Sequence, residues 1–218
     1  VYCVNCSTSA MQALERALAN SQLAELKLAY DRDLSVSFPR DELKPFRAMA
    51  QMLGQGSYRA WGLMDGEDIA GLATVWNYAP GWALFDYLCV SPQRRSDGLG
   101  SQLVQGLVQA ERGNVLFGES EIPEFAPDPD LARRRIGFYQ RNGAKEAGYD
   151  MTLFGVPYRV LYWAMGDVGP DEIARQHAAV YQRRFARPLY DKYITIPWRP
   201  SDGMPDRVDW AGAEEGFE

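Results

Sequence analysis

The chain has 218 residues, enough for one domain or one domain with an appendage. Hydrophobic residues make up 46% and charged residues 24%, the balance of a globular protein in water, and a net charge of −6 without an extended basic stretch argues against a nucleic-acid partner. No apolar run approaches the roughly 18 residues of a membrane span and the start lacks the pattern of a secretory leader, so the reading expects a cytoplasmic protein with no membrane partner.

In chain order, residues 1–5 read as a short strand. Cys3 and Cys6 form a C-x-x-C, but the chain has three cysteines and one histidine, so neither a disulfide framework nor a metal site is expected. From Ser9 to Tyr30 the apolar residues Leu14, Ala17, Leu18, Leu23 and Leu26 fall at helical spacing. Pro39 is positioned to open a second helix, in which Leu43, Phe46, Met49 and Leu53 share a face and Gly54 or Gly56 provides the stop. The period then shortens. Tyr58–Met64, Ile69–Tyr78 and 82–90 read as three strands, turned at Asp65-Gly66 and at Pro80-Gly81. An amphipathic helix follows over 99–112, then a strand at Val115–Glu119, so 82–119 is a candidate parallel βαβ unit. Pro123–Pro129 is a loop, Leu131–Asn142 a short helix, and Ala144–Leu153 and Tyr158–Met165 are two further strands. After Gly166 come a helix at 171–186, strand composition at Tyr190–Ile196 and a weakly ordered tail from 199. The expected class is α/β (α+β): a mixed, mostly antiparallel sheet with a central parallel βαβ pair flanked by helices. The expected division is a domain over 1–166 and an extension over 167–218, with a homodimer possible.

The glycine turn at 93–100, QRRSDGLG, joins the third strand to the helix. A phosphate-binding P-loop needs a lysine after its last glycine, which is missing here. A dinucleotide fingerprint would find two of its three glycines in Gly98 and Gly100, with Glu119 or Glu121 as the ribose acid, but Leu103 occupies the third position. Arg95-Ser96-Asp97-Gly98-Leu99-Gly100 fits a third pattern, [QR]-x-x-G-x-[GA]. The strand before it ends in LCVSP, and Arg135–Ala144 (RIGFYQRNGA) carries a Phe-Tyr-x-x-x-Gly core. On these motifs and the element order, the first three-quarters of the chain resembles the GNAT superfamily of acyl-CoA-dependent N-acetyltransferases.

That resemblance implies acetyl-CoA as cosubstrate, no metal, and transfer to a primary amine of a small molecule or peptide in a ternary complex. It implies pyrophosphate binding by Arg94, Arg95, Ser96, Asp97, Gly98, Leu99, Gly100 and Ser101, where a helix start directs backbone N–H groups at an anion. Leu88, Cys89 and Val90 would lie beside the pantetheine arm, and Tyr139 beside the sulfur as proton donor. Asp97 departs from the basic residue usual there, and puts a carboxylate near two phosphates. The chemistry also needs a base: an amine with a pKa near 10.4 is neutral at pH 7 only about once in 2,500. Asp86, Glu119 and Glu121 are the candidates. Asp86 is expected on one face of its strand with Trp82, Leu84, Leu88 and Val90. A structural pairing is the competing reading of each acid. The acceptor pocket is expected from the helix connection at 31–46, the ends of the strands at 82–90 and 115–119 and the hairpin near 154–158, with Asp31, Asp33, Asp41 and Glu42 as an acidic rim. Two other functions stay open: a catalytically inactive CoA-binding or protein-interaction module, and a dinucleotide-binding protein. His177 is expected at the surface or in packing.

Overall fold

The computed structural model describes residues 20–40, 42–65, 68–95, 98–204 and 206–208. The strand expected at 1–5, Cys3, Cys6, the start of the first helix and Asp41 lie outside the described residues, as do Ser96 and Asp97. The chain divides between Arg112 and Gly113 into two compact units.

In the first unit, helix α1 (Asn20–Ala29) runs into a π-helical stretch at Tyr30–Leu34 and a last turn at Ser35–Ser37. The widening is local. The Ser35 amide donates to the Tyr30 carbonyl, and the Ser35 hydroxyl donates to the Asp31 carbonyl at 2.6 Å, a back-bond that competes with the regular ladder. Helix α2 spans Phe46–Gly54 and buries Ala48, Met49, Met52 and Leu53. It begins at Phe46, later than the Pro39 start read from the sequence. Pro45 explains the difference: a residue before proline is pushed out of the helical region, so a helix can start after Pro45 but not run through Lys44.

Strands β1 (Tyr58–Asp65), β2 (Asp68–Ala79) and β3 (Trp82–Val90) form an antiparallel meander. Its register shifts within β3. Phe85 pairs with Val75 and Tyr87 with Thr74, which leaves Asp86 as the extra residue of a bulge. The bulge corrects the expected face. Leu84 pairs with Trp76, whereas Leu88 pairs with Ala73 and Val90 with Gly71, on the opposite side of β2. Helix α3 (Leu99–Ala110) buries Leu103, Val104 and Leu107. It lies close over Gly71, where an added Cβ would come within 3.3 Å of the Leu103 side chain.

The second unit contains β4 (Val115–Glu121), α4 (Pro129–Arg141), β5 (Lys145–Leu153), β6 (Val156–Trp163), α5 (Pro170–Arg184), α6 (Arg187–Tyr193) and β7 (Ile194–Trp198). β4 pairs with β6, β6 with β5, and β5 with β7, all antiparallel. Phe154 and Gly155, both at positive φ (51° and 83°), make the two-residue turn between β5 and β6. Asp128 caps α4 by accepting from the amides of Asp130 and Leu131. The architecture is the mixed α/β, mostly antiparallel one expected, and β3, α3 and β4 follow in the order of a βαβ crossover.

The extension departs from its sequence reading in two places. Tyr190–Tyr193 belongs to α6, which starts at Arg187 with Pro188 in its first turn, and strand begins only at Ile194. Part of the expected loose tail is anchored: Trp198 Nε1 donates to the Gly203 carbonyl at 2.8 Å, and the Val208 amide reaches the Phe154 carbonyl at 3.3 Å. β7 covers the β5 edge of the sheet.

Candidate active site

The glycine turn delivers its backbone to the start of α3. Gly98 sits at φ 76°, ψ 2°, a left-handed conformation that an L side chain would strain. The first amide bonded within the helix is that of Gln102, which donates to the Gly98 carbonyl at 3.2 Å. A helix start of this kind presents its first backbone amides at the helix end. Among the described residues no side chain caps this end, and the first turn, Leu99 onward, has no acidic residue. Leu99, Gly100 and Ser101 are half-buried there. Arg94 lies half-buried just upstream, and exposed Arg95 contacts the Ser37 hydroxyl at 3.3 Å. This donor set suits an anion, so the residues present fit the pyrophosphate of acetyl-CoA.

Cys89 is buried on β3, and Leu88 and Val90 are half-buried on either side. Burial, reinforced by the negative charge of Asp33, pushes the Cys89 thiol up to about 12. Asp33 is itself buried, held by Arg32 through Nε (3.0 Å) and Nη2 (2.7 Å), while Arg32 also donates to the Ile69 carbonyl. Asp31 pairs with Lys27. Of the acidic rim expected at 31–46, Asp33 is thus buried and Asp31 is paired at the surface.

Asp86 has a strong structural partner. Lys44 Nζ donates to its two oxygens at 2.7 and 2.9 Å, with the two side chains 1% and 6% exposed. The Tyr58 hydroxyl donates to Asp86 as well. Burial and the Asp86 charge hold that phenol well above its ordinary value, so it keeps its proton. The Lys44 ammonium also sits over the Trp76 and Tyr87 rings, 5.6 and 5.1 Å from their centroids. Sequence reasoning missed Lys44, because nothing local marks a lysine beside a proline as buried.

In the second unit Glu119 lies on β4 with its side chain 14% exposed. His177 Nε2 approaches Glu119 Oε1 at 2.7 Å, and the Tyr181 hydroxyl donates to the same oxygen at 2.6 Å. On the other side of the ring, the Tyr149 hydroxyl lies 3.0 Å from His177 Nδ1. His177 is fully buried, with Phe117 packed against its ring. The sequence held one signal for this: Ile173, His177, Val180 and Tyr181 form the buried stripe of α5, which makes the histidine part of a core face. Glu121, two residues along β4, pairs with Arg135 of α4 at 3.0 Å. Tyr139, on α4, is half-buried edge-on to Trp163, whose indole N–H is tied to the Asn142 carbonyl. Burial pushes its phenol up to about 12 against a smaller opposing effect of Arg135, so Tyr139 stays protonated at neutral pH.

The comparisons with known proteins agree with this picture. Residues 56–143 match the acetyltransferase (GNAT) domain family. No curated protein matches the sequence. Among solved structures, a GNAT-family protein of Bacteroides thetaiotaomicron superposes with a TM-score of 0.61 at 20% identity, covering 77% of this chain and 96% of its own. The ribosomal-protein-S18-alanine N-acetyltransferase of Escherichia coli gives 0.53 at 17% identity, over 70% of this chain and 94% of that one. An aminoglycoside 6′-N-acetyltransferase complexed with coenzyme A gives 0.51 at 14% identity, over 68% and 93%. The chain has the fold of these acetyltransferases, and residues 56–143 within it match the family.

Proposed function

We propose that this GNAT-fold protein is an acetyl-CoA-dependent N-acetyltransferase that acetylates a primary amine directly, in a ternary complex. One observation carries the reading. Within the stretch matched by the family, a twelve-residue helix opens on a left-handed glycine, with two arginines upstream and, among the described residues, no capping side chain and no acid in its first turn. Such an end suits a pyrophosphate.

Acetyl-CoA supplies an activated thioester; the residues of this chain bind, orient and move protons around it. Arg94, Arg95 and the 96–101 turn are assigned to the pyrophosphate. The backbone of Leu88, Cys89 and Val90 is assigned to the pantetheine arm and the oxyanion. Glu119 is our choice of base. Asp86 and Glu121 are given structural work instead, on the strength of their pairing with Lys44 and Arg135. Tyr139 is assigned to the departing sulfur. A phenol near 12 facing a thiolate with a pKa of roughly 8.5 gives up its proton uphill by about 3.5 units, so it serves mainly as a hydrogen-bond donor to the developing charge. Direct transfer is favoured over an acyl-cysteine because a buried thiol raised to about 12 is almost never a thiolate at neutral pH.

A thermal-shift series with acetyl-CoA, CoA and NAD tests binding. At about 100 times the dissociation constant, acetyl-CoA should add roughly 2.7 kcal/mol of stability. Stabilisation by NAD alone would replace this reading with the dinucleotide one. Turnover is then followed by thiol release with an aminoglycoside, a diamine and an N-terminal-alanine peptide, amines chosen partly from the named acceptors of the solved neighbours. Binding of acetyl-CoA without turnover across a broad amine screen would favour the inactive module.

A further inference from the structure

Glu119 lies inside the family-matched stretch, but the groups that hold it do not. Tyr149, His177 and Tyr181 all come after residue 143, and the last two stand one turn apart on α5. A carboxylate only accepts, so the 2.7 Å contact requires a proton on His177 Nε2, donated to Glu119 Oε1. Nδ1 faces the Tyr149 hydroxyl at 3.0 Å, so that nitrogen has its own fixed partner. Phe117 closes on the ring at 4.9 Å between centroids, and Tyr181 adds a second donor to Oε1. A fully buried imidazole with a partner at each nitrogen has one orientation available to it, and so has the oxygen it bonds.

We infer that His177, carried by the extension, is a positioning residue for Glu119: it donates from Nε2 to Oε1 and fixes the carboxylate, with Tyr149 setting the ring from behind and Tyr181 sharing the oxygen. The inference rests on the proposal that Glu119 is the base. Its structural half can be tested separately. The chain has one histidine, so 15N-histidine labelling yields one imidazole spin system. At neutral pH that system should show a protonated, slowly exchanging Nε2 whose signal moves strongly in Glu119→Ala. A bare Nε2, or a signal indifferent to that substitution, would overturn the inference whatever the activity.

The kinetic half uses acetyl-CoA and the amine that turns over fastest in the screen above. Glu119→Gln should lower kcat by about 10²–10⁴-fold. His177→Leu should lower kcat about tenfold or more with acetyl-CoA binding intact, His177→Gln should recover most of that loss by restoring a donor, and His177→Leu should cost little more in a Glu119→Gln background. If Glu119→Gln is harmless, the base assignment fails. If Glu119→Gln is crippling and His177→Leu is not, only the positioning role fails. Should His177→Leu not fold, Tyr181→Phe and Tyr149→Phe, read by the same imidazole signal in the native chain, carry the test: each should shift it, and no shift in either would overturn the arrangement.

Discussion

Cys89 shows how far burial, with a nearby carboxylate, can decide a side chain's chemistry. Its ordinary value is 9.0 and its folded value about 12. At pH 8 roughly one folded molecule in 10⁴ has a thiolate there, against about one in ten for an exposed thiol. In a Cys3→Ser, Cys6→Ser background, labelling by iodoacetamide should therefore be about 10³ times slower in native than in denatured protein; comparable rates would mean that Cys89 is accessible. The same shift has a stability sign. The unfolded thiol loses its proton above pH 9.0 while the folded one keeps it, so the contribution is complete below that value and declines as pH rises towards 12. Tyr139, raised from 10.0 to about 12, acts in the same direction. Stability measured by urea should fall between pH 9 and 11, and less steeply in Cys89→Ala. The buried Lys44–Asp86 pair makes a separate prediction. Asp86→Ala leaves an ammonium without its main partner and should cost about 3–5 kcal/mol, whereas Lys44→Met with Asp86→Leu should recover much of it. Catalysis lost in the single variant but restored with stability in the double one would fit a structural acid. A stable double variant without activity would return Asp86 to the list of bases.

At the level of elements, the helix start at Gly98 carries the most testable consequence. Gly98→Ala meets none of the described residues within 4 Å, so the cost assigned to it is that of φ 76°, on the order of 1 kcal/mol. On the proposal that the 96–101 turn takes the pyrophosphate, Asp97→Lys should tighten acetyl-CoA binding in calorimetry, because an ammonium replaces a carboxylate; an unchanged or weaker constant would mean that Asp97 does not face the phosphates. The turn was legible because its motif is local, and so were the three strands of the meander, whose Asp-Gly and Pro-Gly turns and shortened period are written within a few residues. The bulge was not legible. It arises from how Phe85 and Tyr87 pair with β2, and a shift of one residue there sends Leu88 and Val90 to the other face. Glu119 could be nominated from its place near a strand end. Its bond to His177 could not, because the two residues are 58 apart in sequence and only the packing of α5 joins them.

At the level of the whole chain, the question is whether 167–218 can be removed. The sequence reads it as an appendage, yet it buries Ile173, Val180, Tyr181, Phe185, Ile194 and Trp198 nearly completely. Burial of a large apolar side chain is worth about 1.5–3 kcal/mol, so six of them rival the roughly 5–15 kcal/mol by which an entire domain is stable. Removal would also uncover the β5 edge that β7 pairs with, leaving unpaired backbone groups as a template for association. A chain ending at Gly166 should therefore lose cooperative thermal unfolding and aggregate, and replacing Val180 and Phe185 together by alanine in the full chain should lower Tm by many degrees. A soluble 1–166 fragment melting at the temperature of the intact chain would show that the extension is dispensable to the fold. The activity of such a fragment would then bear directly on Glu119, which would have lost both Tyr181 and His177 while keeping its place on β4.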